Sequence, residues 1–148
     1  MATLSKTRAV EWMGTQYKIL LTPDQTGKNI GMFESLDQPG YGPPRHIHHQ
    51  EDETFYVLTG DVEFWMKGCS TTHGPGDVVF IPRGVEHTFR ISSETPARML
   101  TIMTPGGFEN FFIEMEANRL RIPDDMKQVV SIGEKYHMSF TGPPLGAH

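Results

Sequence analysis

Glycine and proline break the first two thirds of this chain into short runs, and that punctuation excludes most folds. The 15 glycines and 11 prolines separate stretches of strand length. QYKILLT, IGMFESL, RHIHH, ETFYVLTG, VEFWMK, CSTTH, VVFIP, EHTFRIS and ARMLTIMTP are β-branched, aromatic or alternating. Such segments suit a pleated, half-buried surface. PDQTGKN, DQPGYGPP and GPGD carry turn chemistry, and Thr59-Gly60-Asp61 reads as a tight hairpin turn. About nine short strands between Gln16 and Pro105, with no long helical pattern, predict an antiparallel β-sandwich or barrel.

The tail reads differently. Phe108, Phe111, Phe112 and Met115 recur at helical spacing. Pro123 and the two acids after it suit a helix N-terminus, with Met126, Val129, Val130 and Tyr136 as its apolar face and Gly133 weakening it. FTGPPLGAH has no regular pattern. The whole, residues 1–148, is expected to be one domain: a barrel over about 16–105 and a helical extension over 106–148. The extension is expected to pack on a partner subunit in preference to covering the barrel mouth, and a homodimer would cover exposed strand edges.

Composition removes several function classes. The formal charge is −5 with no stripe of Lys and Arg, which argues against nucleic acid as a partner. No run approaches the length of a membrane span, and MATLSKTRAVEW lacks the apolar core of a signal peptide. The single cysteine, Cys69, cannot form an intrachain disulfide and fits a reducing compartment. A cytoplasmic protein is the expectation.

The stretch GYGPPRHIHHQEDETFYVLTG concentrates the chemistry. In a strand, residues two apart share a face, so His46 and His48 aim into one space while Ile47 faces away. Glu53 opens the next strand and His87 a later one, and antiparallel neighbours in a barrel can bring all four together. Three imidazoles and a carboxylate are a coordination set for one divalent transition metal (Fe, Mn, Ni, Co, Cu or Zn). A metal would compensate groups that are otherwise costly to bury. Four protein ligands leave one or two positions open, which means catalysis or ligand capture. By parity His49 points to the other face, and Glu51 and Asp52 are expected to be solvated loop acids. Phe55 and Val57 after Glu53, Phe89 and Ile91 after His87, and Met99 and Met103 on the next strand are expected to line an apolar pocket; for the last strand the opposite parity, Leu100 and Ile102, stays open. Arg98 lies on the face opposite Met99.

The spacings complete the pattern. The first block runs Gly40, five residues, His46-x-His48, four residues, Glu53, six residues, Gly60; the second runs Gly76, five residues, Pro82-x-Gly84, two residues, His87. These blocks resemble the two motifs of the cupin superfamily. The second usually ends in Asn where this chain has Ile91, a position that is not a ligand in the family. EDETFYVLTGDVEFW, TPGGFENFF and GPPL are similar to small single-domain monocupins described as quercetin dioxygenase-like. The resemblance implies an all-β cupin jelly-roll barrel with C-terminal helices and a metal held by His46, His48, Glu53 and His87. It also implies a dioxygenase acting on a flavonol-like or other aromatic enediol, in which Glu53 is base as well as ligand. Two alternatives stay open: a non-enzymatic, metal-assisted small-molecule-binding cupin, and a cupin isomerase or lyase.

Overall fold

The computed structural model describes residues 7–146; residues 1–6 and 147–148, His148 among them, lie outside the described residues. In chain order the elements are β1 Arg8–Trp12, β2 Thr15–Leu21, α1 Pro23–Thr26, β3 Gly31–Asp37, β4 Pro44–His48, β5 Asp52–Thr59, β6 Val62–Met66, β7 Cys69–His73, β8 Val78–Ile81, β9 His87–Ile91, β10 Ala97–Thr104, α2 Asn110–Ala117, α3 Met126–Lys135 and β11 Met138–Pro144. The runs read as strands between Gln16 and Pro105 appear as β2 to β10. They form two antiparallel sheets, ordered β1-β2-β3-β10-β5-β8 and β11-β4-β9-β6-β7. The result is an all-β jelly roll. No helix among the described residues is long and apolar enough to cross a membrane.

Alternation sets which side chains enter the barrel. On β5, Glu53, Phe55 and Val57 are buried while Tyr56 is exposed; on β10, Ala97, Met99, Thr101 and Met103 are buried. The open question of parity on that strand is thus settled for Met99 and Met103. Arg98 faces outward and pairs with Glu34 across the β3–β10 ladder at 2.6 Å. Two apolar clusters fill the interior. Phe55, Val57, Val62, Phe64, Ile91 and Met99 belong to one, and Trp12, Ile19, Phe33, Met103, Phe111 and Met115 to the other. Glu53 stands beside Met103 on one neighbouring strand and Ile81 on the other, one from each cluster.

Three expectations need correction. PDQT forms one helical turn, because the Gln25 side chain accepts the Thr22 backbone N–H at 2.9 Å and Gly27 closes the turn in the left-handed region. FTGPPLGAH, which reads as patternless, supplies Phe140 to Pro144 of strand β11, which begins at Met138. The strand pairs with β4 through Met138↔His48 and Phe140↔His46, then bulges at Gly142 and Pro144. An edge strand tolerates proline because one row of its backbone groups has no ladder partner. The C-terminal segment, expected on a partner subunit, lies over the histidine-bearing end of its own barrel. Phe111, Phe112, Met115 and Val129 join the core there, and Trp12 Nε1–H donates to the Leu120 carbonyl at 2.7 Å. Gly133 does not end α3: a Cβ there would meet Met138 and Phe140 side chains at 3.3 Å, so glycine lets the helix approach β11 closely.

Gly60 has the opposite kind of constraint. Its φ is +82°, and a Cβ would lie 2.7 Å from Ala97 Cα, a backbone atom that cannot yield. Strain at positive φ and overpacking add, so Gly60→Ala is expected to destabilise by roughly 2–5 kcal/mol. A urea denaturation midpoint equal to that of the parent would show that the turn relaxes freely.

Candidate metal centre

β4 and β9 are neighbours, with His46 directly opposite His87. His48 shares the inward face of β4, and Glu53 reaches across from the other sheet. All four are buried, at 7, 3, 4 and 1% exposure for His46, His48, Glu53 and His87. One ligand atom from each lies within 4.8 Å of all the others. His87 Nε2 is 3.0 Å and His48 Nε2 3.8 Å from Glu53 Oε1. Two donor atoms each about 2.1 Å from an ion stand about 3.0 Å apart at right angles and about 4.2 Å apart when opposite. The cluster therefore fits an ion with shifts of a few tenths of an ångström.

Its protonation fits as well. His46 Nδ1 lies 2.7 Å from the Pro44 carbonyl and His87 Nδ1 2.9 Å from the Val85 carbonyl. Nδ1–H donates in each case, leaving the Nε2 lone pair for the centre. Burial, with His87 beside it, pushes the His46 imidazole down to about 3. Burial, with His46 and His87 beside it, holds His48 well below the usual histidine range. Neutral imidazoles are what a metal requires.

The centre opens on a cavity of about 460 Å³. His46, His48 and Glu53 line it; His87 does not. The rest of the wall is mainly apolar, with Phe33, Phe55, Phe89, Phe108, Phe111 and Phe112 contributing. Phe108 stands edge-on to His48 with ring centroids 4.4 Å apart, so the C-terminal segment reaches the centre itself. The volume suits a ligand of a few rings.

Residues 33–103, which run from β3 into β10 and contain all four clustered residues, match the family described as Cupin domain. The chain contains a cupin domain. This cupin is 36% identical to quercetin 2,3-dioxygenase of Bacillus subtilis (strain 168), over 63% of this chain and 30% of that protein. It is 33% identical to quercetin 2,3-dioxygenase of Aspergillus japonicus, over 77% of this chain and 34% of that protein. The chain spans about a third of the length of these curated relatives. Of solved structures, KdgF from Halomonas sp. superposes with a TM-score of 0.60 at 21% identity, over 72% of this chain and 93% of that one, a likeness of fold. The buried His/His/Glu/His cluster of this cupin suits a metal site.

Of the six residues expected in the pocket of this cupin, Phe55, Phe89 and Met99 line the cavity; Val57, Ile91 and Met103 do not. All three are fully buried in the packed clusters. Parity fixes whether a side chain points inward but not how deep along the barrel it lies. His49 is exposed, as parity predicts, and meets Ser139 at 2.8 Å. Asp52 pairs with Arg83 at the surface at 3.3 Å. Arg45 stacks over Trp65 on the outer face at 4.7 Å. Glu51 is not the solvated acid expected: it is 6% exposed, its Oε2 has no partner, and burial with Glu53 nearby pushes its carboxyl up to about 7.

Sequence reasoning missed a polar corner of the cavity. Asp37, the last inward position of β3, is 1% exposed and lines the wall with Ser35, Tyr17 and Tyr41. Ser35 Oγ–H donates to Asp37 Oδ2 at 2.8 Å and Thr15 Oγ1–H to Oδ1 at 3.1 Å. Burial outweighs both bonds and raises the carboxyl from 3.8 to about 6. The folded state therefore holds the proton more tightly than the unfolded chain. Stability falls as pH rises from 3.8 to about 6 and stays reduced above that. At 1.36 kcal/mol per pH unit the penalty at neutral pH is roughly 3 kcal/mol. Asp37→Asn is expected to recover part of it, raising the melting temperature at pH 7 with little gain at pH 4. An equal gain at both pH values would count against a buried, ionising carboxyl.

Proposed function

We propose that this cupin is a metal-dependent dioxygenase acting on a flat, hydroxylated aromatic substrate of flavonol type, bound in the cavity beside the four-residue centre. The observation that carries this reading is the opening of a buried three-histidine, one-carboxylate cluster onto a wall of phenylalanines. His46, His48, Glu53 and His87 would hold one divalent transition metal, which when bound supplies a Lewis acid and a redox-active ion next to the substrate. The chain's own residues do the rest. The phenyl rings exclude water and stack on a flat ligand. Glu53, facing the cavity, can take the proton of a substrate hydroxyl, which makes the ring electron-rich enough to react with O₂. Arg98 lies outside the barrel in an ion pair with Glu34, which removes the cation most suited to a sugar acid or phosphate. The names of the two dioxygenase relatives agree with the aromatic substrate class.

The test is oxygen consumption. Protein reconstituted separately with Fe, Mn, Co, Ni, Cu or Zn is given quercetin or catechol in an oxygen-electrode cell. Oxygen uptake matched mole for mole by loss of flavonol absorbance, with at least one redox-active metal, is expected. Tight flavonol binding without uptake under any metal would replace the enzyme with a binding protein.

A further inference from the structure

The polar corner around Asp37 is a second anchor in the same cavity. Glu53 stands opposite Met103, and Met103 opposite Gly31, so Gly31 marks the row of the metal centre on β3. Asp37 lies six residues further along that strand, on the same inward face. Across the cavity the span is shorter than the strand path: His48 meets Phe108 at 4.4 Å, Phe108 meets Phe112 at 5.6 Å and Phe112 stacks on Tyr17, beside Asp37, at 4.0 Å, so the carboxyl and the centre stand at two ends of one cavity that a ligand of a few rings can bridge. Each Asp37 oxygen has one hydroxyl donor, from Ser35 or Thr15, and room for another. No ion pair to Asp37 occurs among the described residues. Tyr17 and Tyr41 flank it, their phenols held protonated by burial, so the corner offers neutral hydroxyls beside one carboxylate. A buried carboxyl without a cation, facing a largely apolar cavity, lacks one partner: a hydrogen-bond donor on the ligand.

We propose that Asp37, oriented by Ser35 and Thr15, accepts a hydrogen bond from a hydroxyl at the end of an extended multi-ring aromatic ligand remote from the metal centre, and so selects polyhydroxylated ligands. This rests on the aromatic ligand class of the proposed function, not on the oxidation. Asp37 is a specificity residue here. It makes no contact with the four clustered residues, and its contribution is ligand discrimination.

The experiment compares two probes under anaerobic conditions, where no turnover occurs. Quercetin carries hydroxyls on both outer rings; 3-hydroxyflavone keeps only the 3-hydroxy-4-keto pair. Trp12 lines the cavity, so quenching of tryptophan fluorescence reads binding directly. Asp37→Leu is expected to weaken quercetin binding by about 10- to 100-fold, because a hydrogen bond to a charged acceptor is lost. It should leave 3-hydroxyflavone within about threefold, since that ligand makes no such bond. Asp37→Asn, expected to fold at least as well as the parent, should give an intermediate loss for quercetin alone, and serves if the leucine variant does not fold. Equal losses for both probes, or none for either, would overturn the assignment. Selective loss without oxygen uptake by the parent would uphold Asp37 and defeat the dioxygenase reading; uptake without selectivity would do the reverse. A parent that binds neither probe defeats both.

Discussion

Replacing His87 by alanine is expected to empty the metal centre. The parent, purified without chelator, should carry about one transition metal ion per chain and the variant less than about 0.1 after dialysis. His87 is the most buried of the four, and its Nε2 lies 3.0 Å from Glu53 Oε1, at the separation two adjacent ligands would keep. Loss of residues that merely orient metal ligands weakens binding 10- to 100-fold, so loss of a ligand should exceed about 100-fold. The removed ring also leaves a hole at the barrel wall and deletes the bond to the Val85 carbonyl. For that reason metal content is to be read together with thermal denaturation. Added metal should raise the melting temperature of the parent, as any ligand bound only by the folded state does, and leave that of the variant unchanged. If both chains take up metal alike and melt alike with it, the four residues are not its site.

Much of the centre was legible because strand parity is a hard rule. His46 and His48 two apart must share a face, and the glycines and prolines around them fixed where strands begin and end. What parity cannot supply is depth. Val57 and Ile91 point inward as expected but belong to the cluster with Val62, Phe64 and Ile81, none of which lines the cavity. Nor can a local pattern show what long-range packing does to it. Glu51, two residues from Glu53, is buried by the surrounding structure, although its own neighbourhood in sequence is polar. The strand β11 was hidden for the same reason: Gly142, Pro143 and Pro144 argue locally against a strand, and only pairing with β4 makes one. Asp37 was readable in part. Phe33, Ser35 and Asp37 alternate down β3, so an acid at the end of an inward row was already a sign of a buried carboxyl.

Glu53→Gln is expected to separate ligand from base. Glutamine keeps the size and one carbonyl oxygen of the side chain but carries no charge and takes no proton at neutral pH. Metal affinity should fall, and saturation at higher metal concentration should restore occupancy through the three remaining imidazoles. Turnover measured at that saturation is the informative quantity. If Glu53 removes the substrate proton, kcat should remain down by about 10²- to 10⁴-fold while KM changes little, the usual worth of a positioned general base. The remaining activity should then rise with pH as the substrate hydroxyl ionises unaided, a slope absent from the parent over the same range. The position of the side chain favours this outcome: Glu53 lies on the cavity wall, where a bound substrate can reach it. A variant that recovers kcat to within about threefold of the parent once metal is saturating would lack the loss expected of a general base, and Glu53 would then be a ligand alone.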